Sequence, residues 1–227
     1  AAEFQERKLH HRGPDPGRRW IGGLRVTAPP GTDHPMPCYA YQGIVPVVDP
    51  AAFVHPLASL IGDVIVGPDC YIGPGASLRG DFGRIIVEAD CSIQDAAVVH
   101  VSSESDTRLR RGATIAHGAV IHGCDIGANA IVGINAVVLD GAVIGDESCV
   151  GALTLVRSGH NVPPRSLVVG NPARIIRTLH ESEISWRNDG AGVYSRLARE
   201  ALSQLVETAP LTPPEPSRPR PTGKALP

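Results

Sequence analysis

The chain has 227 residues, a formal net charge of −2, 4% aromatic residues, 25 glycines and a single methionine. That length allows one sizeable core, and the near-neutral charge excludes an electrostatic case for binding nucleic acid or an anionic membrane. No apolar run is long enough for a signal-peptide core or a membrane span.

Residues 1–35 are rich in Gly, Pro, Arg and His and show no periodicity. Met36 is the lone methionine, so we expect translation to start there, with residues 1–35 a non-native or disordered extension. From Val48 the aliphatic residues recur every six positions: Val48, Val54, Leu60, Val66, Ile72 and Leu78. The pattern resumes after short offsets at Val87, Ile93 and Val99, at Leu109, Ile115 and Ile121, and from Ile126 through Val156. A small residue sits four places after most of them, as at Cys70, Ala76, Cys91, Ala97, Ala113 and Ala119. A period of six is neither helical nor simple strand alternation. It fits a triangular coil with one short strand per side, the aliphatic residues stacking inward and the small ones filling tight inward slots. We therefore expect an all-β parallel β-helix over 36–176. A C-terminal helix follows over 177–208, with Ser182 as its N-cap and a break at Asp189–Gly192. Residues 209–227 form a proline-rich disordered tail.

The five cysteines are odd in number and form no CxxC pattern, which suits reduced thiols in the cytoplasm. Lys8 and Lys224 are the only lysines, and both lie outside the repeats, which argues against Schiff-base chemistry.

With the offsets applied, Leu78, Val99 and Ile121 stack one coil apart. The residues that follow them, Arg79, His100 and His122, form a column along one outer edge with steps of ~4.8 Å. His117 follows Ile115 on another face, so it lies on a different edge. In a threefold trimer that edge can meet the first edge of a neighbouring subunit. Three histidines would then converge at each interface, with Asp95 opposite Arg79 below them. Three neutral imidazoles suit Zn2+, with Fe2+ or Co2+ also compatible. Gln94 is a further candidate for orienting substrate or water, while Asp81 reads equally as a turn or interface residue and Tyr194 as a packing residue.

His100 followed by "IAHGAVIHGC", together with "LRGDFGRI" and "IQD", resembles the γ-class carbonic-anhydrase-like hexapeptide-repeat family. That resemblance implies a left-handed winding, against the usual crossover rule. It also implies a homotrimer with a metal on His100, His117 and His122 at subunit interfaces. The segments "MPCYAYQGIVPVV", "VVGNPARIIR" and "ISWRNDGAGVYSRLARE" and the tail are similar to the phenylacetic acid degradation group of that family. This similarity implies a metal-dependent CoA-thioesterase acting on stalled ring-derived acyl-CoA products. Metal-bound hydroxide would attack the thioester, with Arg79, Gln94, Asp95, Asp81 and Tyr194 around it. Zinc-dependent CO2 hydration is the second reading. It is weakened by Phe82 in place of an expected glutamate and by a loop, Val101–Arg110, that lacks a clear acidic proton shuttle. A hexapeptide acyltransferase using a histidine as general base without metal is the third, and a non-catalytic trimeric scaffold the fourth.

Overall fold

The structure, a computed structural model, describes residues 37–103 and 105–212, along with the backbone of two short strands nearer the N-terminus. Those two strands, Trp20–Ile21 and Leu24–Arg25, pair antiparallel in a separate small unit spanning residues 1–32. Side chains are described outside 186–191. The expectations for most of residues 1–35, and for the tail beyond 212, therefore lie outside the described residues.

The repeats wind into a left-handed parallel β-helix with three faces. Strands on successive coils pair parallel and in register. The first face runs from Cys38–Tyr39 through Val98–His100 and Val120–His122 to Leu155–Val156. The second runs through Thr107–Leu109, Asp125–Ile126 and Val143–Ile144. The third runs from Phe53–Val54 through Tyr71–Ile72, Ser92–Ile93 and Thr114–Ile115 to Ser166–Val169, where Arg174–Thr178 closes it antiparallel. Two long strands, Ser59–Val66 and Ser77–Val87, bend from the first face into the second and join the two.

The core follows from the period of six. Leu60, Leu78, Val99, Ile121 and Val138 are essentially fully buried and stack along the inside of the first face. Leu109 with Ile126, and Ile93 with Ile115, do the same on the other two. Cys70 and Cys91 occupy buried inward slots, as the pattern of small residues requires. At some corners the backbone must adopt positive φ. Ala96 and Asn135 do so at 57° and 54°, and Gly118 takes 67° between them in the same corner column. This conformation is costly for most side chains and free for glycine.

The C-terminal helix α1, Glu181–Gln204, packs on the third face over Phe53–Val54, Tyr71–Ile72 and Ser92–Ile93. It differs from the sequence expectation in two ways. The residue before its first turn is His180, whose backbone N–H donates to the Glu183 carboxylate at 2.9 Å, and Ser182 lies inside the helix. The helix also continues without a break through Asp189–Gly192. Each glycine there costs the helix about 1 kcal/mol relative to alanine. Ile184, Ser195 and Ala198 are buried and the helix packs on the third face, which works against that cost. No helix among the described residues is long and apolar enough to cross a membrane.

Candidate active site

The corner that ends the first face carries a continuous run of polar contacts over four successive coils. Register places Arg79 beside His100 and His100 beside His122. Arg79 donates to one oxygen of Asp81. The other Asp81 oxygen meets His100 Nε2 at 2.8 Å. His100 Nδ1 faces His122 Nε2 at 3.0 Å, and His122 Nδ1 meets Asp140 Oδ1 at 2.8 Å. Every nitrogen of the two rings therefore has a partner, and Asp81 and Asp140 stand at the two ends of the imidazole pair. Partial desolvation pushes both carboxyls up. Hydrogen bonds from His100 and Arg79 on Asp81, and from His122 on Asp140, outweigh it and hold both below the usual carboxylate range.

His117 lies on the corner between the third and first faces, in the turn after Thr114–Ile115. Its Nδ1 sits 2.6 Å from Asp95 Oδ2, and the two side chains are 45% and 44% exposed. Among the described residues its Nε2 has no partner, so the ring presents a lone pair outward whenever Nδ1–H points at Asp95. Gln94 is buried beside Asp95, one coil above Gly73. Tyr194, carried by α1, packs on Tyr71 of the same chain with ring centroids 5.5 Å apart. Both phenols are raised, first by burial and then by the charge of Asp95.

The structure thus separates the expected site residues into two groups. Arg79, Asp81, His100 and His122 come together on one corner. Gln94, Asp95, His117 and Tyr194 come together near another. Two residues escaped the sequence reading. Asp140 lies diagonally one coil beyond His122, so a search along same-slot columns passes it by. Tyr71 reads as an ordinary strand aromatic until α1 is placed on it.

A metal ion on three histidines does not fit a single chain. Two of the rings are turned toward each other and toward carboxylates, and the third pairs with Asp95 on a separate corner. Among the described residues no group of three or more His, Cys, Asp or Glu side chains is arranged to hold an ion.

No protein-family model matches the chain. It is 48% identical to the carnitine operon protein CaiE of Salmonella agona over 185 residues, covering 82% of this chain and 93% of that protein. The CaiE protein of a Proteus species is 45% identical over 82% of this chain and 94% of its own length. The chain belongs to the hexapeptide-repeat, γ-carbonic-anhydrase-like family of left-handed β-helix proteins. Two solved structures share its architecture. A putative acetyltransferase from Bacillus cereus has a TM-score of 0.73 at 29% identity, covering 74% of this chain and 98% of its own. A hexapeptide transferase family protein from Anaplasma phagocytophilum has a TM-score of 0.68 at 36% identity, covering 72% of this chain and 97% of its own.

These findings correct the functional expectation. The solved neighbours are named as transferases, not hydrolases, and the three-histidine ligand set is not assembled within the chain. The reading as a zinc-dependent thioesterase, a hydrolase of phenylacetate degradation, is therefore withdrawn. The curated relatives named above are carnitine operon proteins, so the phenylacetate assignment has no support from them.

Proposed function

We propose that the protein is a hexapeptide-family acyltransferase in which His117 is the general base, oriented by Asp95, and that it transfers an acyl group from an acyl thioester such as acyl-CoA. The observation that carries this reading is the state of the ring nitrogens. Of the three histidines, His100 and His122 have both nitrogens hydrogen-bonded, while His117 makes an ion-pair contact with Asp95 at 2.6 Å through Nδ1 and its Nε2 has no partner among the described residues. A base needs an accessible lone pair, and an orienting carboxylate fixes the tautomer that provides one.

The step balances without a further reactant. The acceptor nucleophile attacks the thioester carbonyl as its proton passes to His117 Nε2. The new bond to the acyl carbon forms, the C–S bond breaks, and the imidazolium returns the proton to the departing sulfur. Asp95 stabilises the imidazolium while it lasts. General-base assistance of this kind contributes about 10²- to 10⁴-fold in rate.

The reading includes a homotrimer with sites near the subunit boundaries. In support, the corner that carries Asp95 and His117 also exposes Leu57 and Leu153, each at 73%, with Ile134 between them. On the other corner Phe82, 61% exposed, lies 5.7 Å from the His100 ring. Apolar side chains flanking polar clusters on two corners suit a self-associating chain.

The test is an acceptor screen with acetyl-CoA that follows free thiol and acylated product together. Acceptor-dependent thiol release that falls at least about 100-fold in His117→Ala supports the reading. Thiol release independent of any acceptor, or unaffected in that variant, overturns it.

A further inference from the structure

Beside Asp95 the fold assembles side chains that the transfer step above does not use. The Tyr71 ring lies over Gly73. A Cβ built there would meet Tyr71 Cε1 at 3.2 Å and the Asp95 backbone nitrogen at 3.0 Å, so ring and carboxylate-bearing residue share one spot on the β-helix. From far along the chain, α1 brings Tyr194 to the same spot, tilted 51° against Tyr71 at 5.5 Å. Phe53 stacks on Tyr71 at 5.5 Å and 24° and backs it from within the third face. Both phenols are partly buried and both sense the charge of Asp95. Among the described residues neither phenolic oxygen has a hydrogen-bond partner. Both side chains are only partly buried, so their hydroxyls stand open to solvent beside the half-exposed Asp95 carboxylate and are free to receive a ligand in place of water.

We propose that Tyr71, Tyr194 and Asp95 form a subsite for a primary ammonium group, which in the transferase reading is the acceptor. The chemistry selects it. Two phenolic oxygens offer lone pairs to N–H donors, the aromatic faces attract a cation, and Asp95 supplies the opposite charge. An anionic acceptor would be repelled by the carboxylate. A neutral alcohol has one donor for several acceptors and gains nothing from the charge. The bound nitrogen sheds two protons on its way to an amide, both through His117 Nε2. One ends on the departing sulfur and one in water, so the products are amide, free thiol and a proton. Tyr71 and Tyr194 are thereby substrate-contacting residues, and α1 is part of the site as well as a cover for the third face.

The substrate role of this subsite rests on the transferase reading, and the experiment separates the two. Propylamine and its neutral counterpart 1-propanol are titrated by NMR into the full chain, wild type and the variants Tyr71→Phe, Tyr194→Phe and Asp95→Asn. The phenylalanine variants keep the ring packing, so their melting temperatures stay at the wild-type value and loss of folding cannot mimic the result. Propylamine is expected to bind and 1-propanol is not. Removing a hydrogen bond to a charged group weakens binding about tenfold, so each phenylalanine variant loses about that factor and Asp95→Asn more. Equal binding of the alcohol, no binding of the amine, or unchanged amine affinity in both phenylalanine variants overturns the subsite. Amine binding as expected, with thiol release that ignores the amine, overturns the transferase reading alone and leaves the ammonium subsite standing.

Discussion

The sharpest prediction concerns Asp95→Asn. The substitution keeps the size of the side chain and leaves an amide oxygen able to accept the His117 Nδ1–H, but it removes the charge that steadies the imidazolium during transfer. Unit charges about 4 Å apart interact by ~4 kcal/mol at an effective dielectric of 20 and by ~1 kcal/mol in bulk water. With the two side chains 45% and 44% exposed, the pair lies between those limits. A mid-range value of about 2 kcal/mol corresponds to roughly 30-fold in rate. An amide rotated to place its NH2 toward the ring would favour the wrong tautomer, which takes the loss toward about 1000-fold. Stability should hardly change, because a pair this exposed contributes ~1 kcal/mol or less, a shift of a few degrees at most in a chain of this size. The assay is acceptor-dependent thiol release in wild type, Asp95→Asn, His117→Ala and the double variant, with melting curves for each. Measured as kcat at saturating acceptor, where the contact of Asp95 with the acceptor no longer limits the rate, the substitution should have no further effect once His117 is gone. An Asp95→Asn enzyme within about threefold of wild type in kcat, or two losses that multiply in the double variant, would refute the dyad.

Three other outcomes follow from the same geometry. Ile121 is fully buried between Val99 and Val138, so Ile121→Ala should cost about 2–5 kcal/mol in urea unfolding; a cost below ~1 kcal/mol would contradict a close-packed interior at that coil. Transfer through His117 passes through no metal, so exhaustive dialysis against a chelator should leave the rate unchanged, and activity lost on chelation and restored by a divalent ion would count against it. Glu183, hydrogen-bonded by Arg177 and by the His180 N–H, has its carboxyl lowered to about 2. Its folded value lies below its ordinary one near 4.5, so its contribution to α1 is complete above that value and is lost as pH falls toward 2. Circular dichroism of the helix should show that acid limb in wild type and a flatter one in Glu183→Gln.

Much of the fold was legible because period six is a physical signature. Leu78, Val99 and Ile121 can stack inward on successive coils only if Arg79, His100 and His122 rise together along the outside, and the strand register places them so. The helix was legible in place but not in detail. Local propensity favours a break at Gly190 and Gly192, while the helix, packed on the distant strands Phe53–Val54, Tyr71–Ile72 and Ser92–Ile93, runs through them. The site was legible as a set of residues and illegible as chemistry. Spacing says which side chains share a corner, yet it does not say which ring nitrogen faces which oxygen. Asp140 belongs to a diagonal reached across a coil boundary. Tyr71 gains meaning only from Tyr194, 123 positions further on.

That difference between sharing a corner and sharing a function also separates the roles of the two corners. On the first, the polar run from Arg79 through Asp81, His100 and His122 to Asp140 leaves neither imidazole with an unpartnered nitrogen: Arg79 and Asp81 pair along one strand, and the histidine contacts bridge neighbouring coils. Such a network in partly buried surroundings braces the coils it crosses, and breaking any member leaves its partner unsatisfied. On the second, among the described residues, His117 keeps one nitrogen open, two phenolic oxygens have no hydrogen-bond partner, and a carboxylate stays half in solvent. In the proposed reading the acceptor completes these groups, giving Nε2 a proton to take, the phenols N–H donors and Asp95 a positive charge.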